Sequence, residues 1–228
     1  MPPHGLVGYW SFNEGSGSTA ADGSGNGHTG TLQYNPTWAT TGSCRVGGCL
    51  SFDGTDDYVR VPDSAPLRIT GDLTLSAWIK PTGARSVQSV ISKRYEFELG
   101  PVQGAAPYPL SWSHKESSGT LVSGNLATAT ESNQWQHVVL VRDGATRQIR
   151  GYKNGALALT SSYPGAPGTG TYPLNIGRNP GSIQRFRGLI DEVRIYNRVL
   201  SAAEVQELYS DGGSPPPPPP PAPPPPPP

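Results

Sequence analysis

Long apolar runs are missing from this 228-residue chain. None reaches the roughly 18 consecutive apolar residues that a membrane-spanning helix needs, so no membrane insertion is expected. Charge is scarce and balanced: 17 Lys plus Arg stand against 17 Asp plus Glu, 15% of the residues. With no basic run, nothing marks a nucleic acid or an anionic bilayer as partner. Cysteine occurs only twice and the four histidines are scattered, so no zinc-ligand spacing is present. A C-x-x-C redox motif is absent too. The opening MPPHGLVGYW lacks the basic and apolar regions of a signal peptide. Also missing are a GxSxG elbow, an HExxH helix, a P-loop and a GxGxxG turn. The E-x-D-x-x-E pattern of sandwich glucanases does not occur.

Turn formers are plentiful, with 29 glycines and 26 prolines. Half of the prolines form the tail, seven before Ala222 and six after it. Such a run adopts extended polyproline II and joins no core. At about 3.1 Å per residue it makes a stiff spacer of roughly 40 Å. The expected organisation is a disordered start at residues 1–5, one domain at 6–212, and a proline-rich linker at 213–228. A further domain is expected beyond the linker.

Turn signals recur along the domain, as in an all-β sandwich. LVGYWSF, CLSFDG, DYVRVP, LTLSAWIKP, SVISKR, YEFEL, PLSWSH, TLVSG, QHVVLVRD, RQIRGYKNG, ALALTSS and YPLNIGR read as strands. Asn154-Gly155 is the favoured pair for a two-residue hairpin turn, because both positions need positive φ. One helix follows Arg198: Ser201 and Glu204 form a capping box, Leu200 and Val205 occupy the staple positions, and Gly212-Gly213 stop it.

The segment FRGLIDEVRIYNRVLS poses a question. A strict alternation puts Leu189, Asp191, Val193 and Ile195 on one face, the more apolar one. Burying Asp191 there requires a compensating partner. A cation is one solution, since calcium takes six to eight hard oxygens. Backbone N–H donors are the other. Two acidic loops could hold an ion. DGSGNG offers Asp22, Ser24 and Asn26 in alternation like half an EF-hand loop, without the closing glutamate or flanking helices. FDGTDDYV clusters Asp53, Asp56 and Asp57. Alone, each also reads as a solvated turn. Cys44 and Cys49 leave open a short-loop disulfide or two free thiols, and the extracellular character of the chain favours the disulfide. Glu96 and Glu98 in YEFEL share one face of a strand by alternation, the arrangement a glycosidase would use.

Taken together, GYWSFNEGSG…ADGSGNGHTGTL, GGCLSFDGTDDYVRVPDS, LTLSAWIKP, WQHVVLVRDG, YKNG and RGLIDEVRIYNRVLSAAEVQELY resemble the laminin G-like jelly-roll domain of the concanavalin A-like lectin/glucanase superfamily. The resemblance covers Leu6 to Tyr209. It implies a two-sheet antiparallel jelly-roll sandwich, all-β apart from the short C-terminal helix, in a non-catalytic module of a secreted or surface protein. It also implies one structural calcium (Ca2+) held by Asp191, with Asp22, Asn26 and Asp53 as further contributors, and a Cys44–Cys49 bridge.

Sugar sites use exposed aromatics that stack on pyranose faces. Trp112, Tyr95 and Tyr108 are the candidates, with Tyr163 and Tyr172 behind them. Trp10, Trp78 and Trp135 lie in strong strands and read as core. The expected function is therefore a binding or adhesion module with carbohydrate as the first ligand. A module for contact with an extracellular protein, or a purely structural one, is the alternative, and a hydrolase or lyase using Glu96 and Glu98 the third reading.

Overall fold

A computed structural model describes residues 4–39, 42–82, 88–94, 96–101, 109–127, 132–180, 184–210 and 212. The proline tail, Tyr95 and Tyr108 lie outside them. The strands are β1 (Leu6–Trp10), β2 (Thr19–Ala20), β3 (Gly30–Gln33), β4 (Thr37–Ala39), β5 (Cys49–Asp53), β6 (Tyr58–Val61), β7 (Leu73–Pro81) and β8 (Ile91–Lys93). Then come β9 (Phe97–Pro101), β10 (Leu110–Lys115), β11 (Leu121–Ala127), β12 (Gln136–Asp143), β13 (Gln148–Lys153), β14 (Ala156–Ser162), β15 (Leu174–Ile176) and β16 (Arg187–Tyr196). Helix α1 (Ala202–Ser210) follows.

Two antiparallel sheets form the sandwich. The first runs β14-β13-β12-β7-β16-β5-β4, with β1 also paired to β16. The second runs β11-β10-β9-β8-β15-β6-β3-β2. The core lies between them because the strands alternate as read. Leu73, Leu75, Ala77 and Ile79 of β7 meet Val59, Val61, Ile91, Leu99 and Ile176 of the second sheet in one cluster. Each such side chain contributes about 1.5–3 kcal/mol by leaving water. Strands β2, β3 and β4 are additional to the sequence reading. They are two to four residues long and partly exposed, so they carry no apolar alternation to be seen.

The other face of the first sheet is also apolar. Val139, Val141, Tyr152 and Tyr196 pack there against Leu200, Val205 and Leu208 of the helical segment. The capping box is formed: Ser201 N–H donates to Glu204 Oε2 at 2.8 Å, and Glu204 N–H donates to Ser201 Oγ at 3.3 Å. Asn154 and Gly155 adopt φ of 51° and 79° in the β13–β14 turn, as a two-residue hairpin requires. His4 and Gly5, placed before the fold by sequence, are already attached to it. Gly5 O accepts Asn197 N–H at 2.9 Å, and His4 O accepts Arg198 Nε–H at 2.8 Å.

β16 departs from strict alternation. The pairing with β7 slips between Asp191 and Arg194, and Glu192 there has φ of 54°. One extra residue flips the phase of everything after it. Ile190, Val193 and Ile195 therefore point into the core cluster. Asp191 is not on the face of Val193 and Ile195; it shares the opposite face with Arg194 and Tyr196. Glu192 and Arg194 form a buried ion pair at 2.5 Å, and Tyr9 Oη donates to Glu192 at 2.9 Å. The order of side-chain costs checks this phase. Ile190→Ala should cost about 2–5 kcal/mol, whereas half-buried Leu189→Ala should cost about 1 kcal/mol or less. Urea denaturation of both variants measures it, and the reverse order contradicts the bulge.

Candidate functional site

The outer face of the second sheet carries a groove of about 360 Å³. Its floor follows from register. Phe97, Leu99 and Trp112 turn into the core, so their neighbours turn outward. Ser111 faces Gly100, and Ser113 faces Glu98 on one side and Ser123 on the other. Small side chains on adjacent strands leave a hollow. Gly100 admits nothing larger, since a Cβ there would meet Gln88 O at 2.3 Å. Arg94, Lys115, Leu121, Asn179 and Gln184 form the walls.

Glu98 sits at the centre of the groove. Its Oε2 accepts Ser113 Oγ–H at 3.0 Å and Asn179 Nδ2–H at 2.8 Å. Asn179 is itself fixed by a 2.9 Å bond to Gln184 Oε1. Burial pushes the Glu98 carboxyl above its usual range, while the hydroxyl and amide donors pull it back. Among the described lining residues Glu98 is the sole carboxylate.

The opposite face is closed at one end by the loop between the two cysteines. Cys44 and Cys49 are bridged, with Cα atoms 5.5 Å apart. Arg45 and Val46 N–H donate to Asp191 Oδ2 at 3.1 and 2.9 Å. Gly48 N–H donates to Asn13 Oδ1 at 2.6 Å, and Trp135 Nε1–H donates to Ser43 O at 3.0 Å. Asp191 is fully buried, and its Oδ1 has no hydrogen-bond partner among the described residues. Burial pushes this carboxyl up to about 7, against the pull of main-chain donors, Val46 and Arg45 among them.

Residues 53–206 match a laminin G family model described as the concanavalin A-like lectin/glucanases superfamily. The chain belongs to that superfamily. A 154-residue stretch of this laminin G-like chain is 28% identical to adhesion G-protein coupled receptor V1 of Danio rerio, covering 63% of the chain and 2% of the receptor. Among solved structures, domain 4 of AbnA, an extracellular arabinanase of Geobacillus stearothermophilus, was determined with arabinotriose. It superposes with a TM-score of 0.70 at 23% identity, over 90% of this chain and 98% of that domain. The binding domain of Paraclostridial mosquitocidal protein 1 gives a TM-score of 0.74 at 16% identity, over 91% of this chain and 52% of that one. At these identities the two structures show a shared fold.

The residues singled out by sequence are distributed as follows. Asp22 organises its own loop: Oδ1 accepts Tyr9 and Ser24 N–H at 3.0 and 2.9 Å, and Oδ2 accepts His28 N–H at 2.9 Å. Asn26 turns its amide nitrogen to Leu6 O and Val7 O at 3.0 and 2.9 Å. Asp53 lies with Asp56 and Asp57 in the β5–β6 turn, where the carboxylates accept main-chain N–H groups. None of these hydrogen bonds joins Asp22, Asn26 or Asp53 to Asp191.

Trp112 borders the groove, is 2% exposed and packs edge-on to Tyr163. Trp78 packs on the outer face of the first sheet against His137 and Tyr209, not in the core. Glu96 and Glu98 do not share a face. Glu96 lies in the turn before β9, where its side chain is paired with buried Lys93 and accepts Gly170 N–H at 2.9 Å. Sequence alone does not single out the other groove residues Ser111, Ser113, Asn179 and Gln184. Their one signal is the serine alternation around Trp112 in LSWSH.

Burial holds the folded-state Glu98 carboxyl above its ordinary range. Its contribution to stability is fully present below the ordinary glutamate value of 4.5 and is lost as pH rises through the higher folded value. Glu98→Gln removes that loss. Urea midpoints measured from acid to neutral pH should show the variant gaining on the wild type as pH rises. A pH-independent difference contradicts the assignment.

Proposed function

We propose that this chain is a non-catalytic carbohydrate-binding module of an extracellular or cell-surface protein, with the glycan seated in the groove over β8–β11. The observation that carries the reading is the fixed polar set Glu98–Ser113–Asn179 at the centre of that hollow. Hydroxyl and amide groups held in place by one another recognise sugar hydroxyls at low ordering cost. The volume, about 360 Å³, suits a short oligosaccharide. Support also comes from the arabinanase domain, which the chain matches over nearly its whole length and which was solved with arabinotriose.

Glycoside hydrolysis needs two carboxylates flanking the bond, roughly 5–9.5 Å apart. Among the described lining residues the groove offers one, and Glu96 is committed to Lys93. Extracellular placement is supported by the disulfide and by the superfamily. No helix among the described residues is long and apolar enough to cross a membrane. A protein-contact role is a second reading. It is favoured by exposed Leu157 and Leu159 on edge strand β14, at 55% and 40%.

Calcium belongs to the proposal at Asp191 alone. A buried carboxylate with one unpartnered oxygen is costly, and a hard cation relieves that cost. Asp22 already accepts three main-chain N–H groups, and Asn26 turns its amide nitrogen to the carbonyls of β1.

Two measurements test these readings. Calorimetric titration with arabinotriose and other neutral oligosaccharides should give binding that falls at least about tenfold in Asn179→Ala and in the groove-filling Ser123→Leu. No binding to any neutral glycan, or unchanged affinity in both folded variants, contradicts the lectin reading. For the ion, the melting temperature should rise with calcium over chelator, and Asp191→Asn should abolish the difference. Equal midpoints in the wild type reject the site.

A further inference from the structure

A second cleft, of about 280 Å³, lies on the outer face of the first sheet beneath the disulfide loop. Cys44, Arg45, Trp78, Trp135, Asn154 and Tyr209 line it. Its aromatic side is rigid. Trp78 stacks on Tyr209 with centroids 5.5 Å apart and planes 23° apart, and Trp135 is fixed by its bond to Ser43 O. Above them stands Arg45, whose guanidinium lies 4.2 Å from the Trp78 centroid.

The main chain of Arg45 is anchored on Asp191, which holds the residue in place and leaves its side chain outside. Among the described residues the guanidinium has no carboxylate and no hydrogen-bond acceptor. Across the cleft, Asn154 Oδ1 is occupied by His137 N–H at 2.9 Å, which orients the amide and leaves its NH₂ to donate. A planar cationic fork, an amide donor and two indole rings thus converge on one small space.

We propose that this cleft is a second ligand site and that it takes a carboxylated sugar, a uronic or sialic acid residue of a glycan. A guanidinium meets a carboxylate through two parallel N–H bonds, which an ammonium cannot reproduce. Trp135 and Tyr209 offer apolar surface to the C–H face of a pyranose. The chain has no net charge and the cleft a single cation, which fits one carboxylate better than a polyanion. The site is on the opposite sheet from the proposed groove and does not depend on it.

Calorimetric titration of the full chain with trigalacturonate and with sialyllactose separates the two sources of carboxylate. The matching reduced or neutral sugars serve as controls. Binding to at least one acidic sugar should be lost or weakened at least about tenfold in Arg45→Ala, and rescued only partly by Arg45→Lys. It should fall with salt and be unchanged in groove-filling Ser123→Leu. Arg45→Ala keeps the backbone N–H on which Asp191 relies, so a wild-type melting temperature is expected and is measured alongside. Absence of binding to both acids overturns the proposal. So does equal affinity in Arg45→Ala, or equal binding of the neutral controls, an acidic peptide or inorganic phosphate. Neutral-sugar binding that Ser123→Leu removes would still stand by itself, so the two sites fail separately.

Discussion

The extra residue in β16 decides which side chains face the core and which face the cover. β16 is flanked by β7 along its length, by β5 over its first half and by β1 over its second. The slip at Glu192 falls where the partner changes from β5 to β1. It lets Ile190 and Val193 both reach the core, and it sends Asp191, Arg194 and Tyr196 to the other side. Those three then meet what covers the sheet. Asp191 takes the N–H groups of the disulfide loop, Arg194 lies over Tyr9 at 4.3 Å, and Tyr196 joins the helix-side cluster. A left-handed glutamate costs on the order of 1 kcal/mol, and its ion pair with Arg194 and bond to Tyr9 hold it there.

Covering one sheet distinguishes the two outer faces. On the first sheet, Val205 and Leu208 of helix α1 cover part of the outer face, the disulfide loop covers Asp191, and the cleft of Arg45, Trp135 and Tyr209 lies beneath that loop. Among the described residues, no helix or disulfide loop packs over β8–β11 of the second sheet, where the groove lies. Its serines and glycine make a depression, and Glu98 supplies the fixed acceptor around which Ser113 and Asn179 are arranged. The proposed binding role rests on that asymmetry, a packed side on one sheet and a polar hollow on the other.

Much of the fold was legible because local rules and tertiary packing agree. β7 alternates cleanly, β12 is an apolar run buried on both faces, Asn154-Gly155 turns as its type demands, and Ser201 with Glu204 caps the helix. The face of Asp191 was not legible, because the bulge sits at a glutamate and no glycine marks it. The candidate site was barely legible. Glu98 and Asn179 are 81 residues apart in sequence, and only the closed sheet brings them together. The expectation of an exposed aromatic pointed to Trp112, which the alternation of β10 buries, while the serines beside it line the groove.

The claim that the open face of the second sheet holds a sugar is tested most directly by amide chemical-shift mapping. The ¹⁵N-labelled chain would be titrated with a neutral oligosaccharide. Shifts confined to β9, β10, β11 and the Asn179–Gln184 segment would match this account. Shifts confined to the disulfide loop, to α1 or to the β14 edge would contradict it.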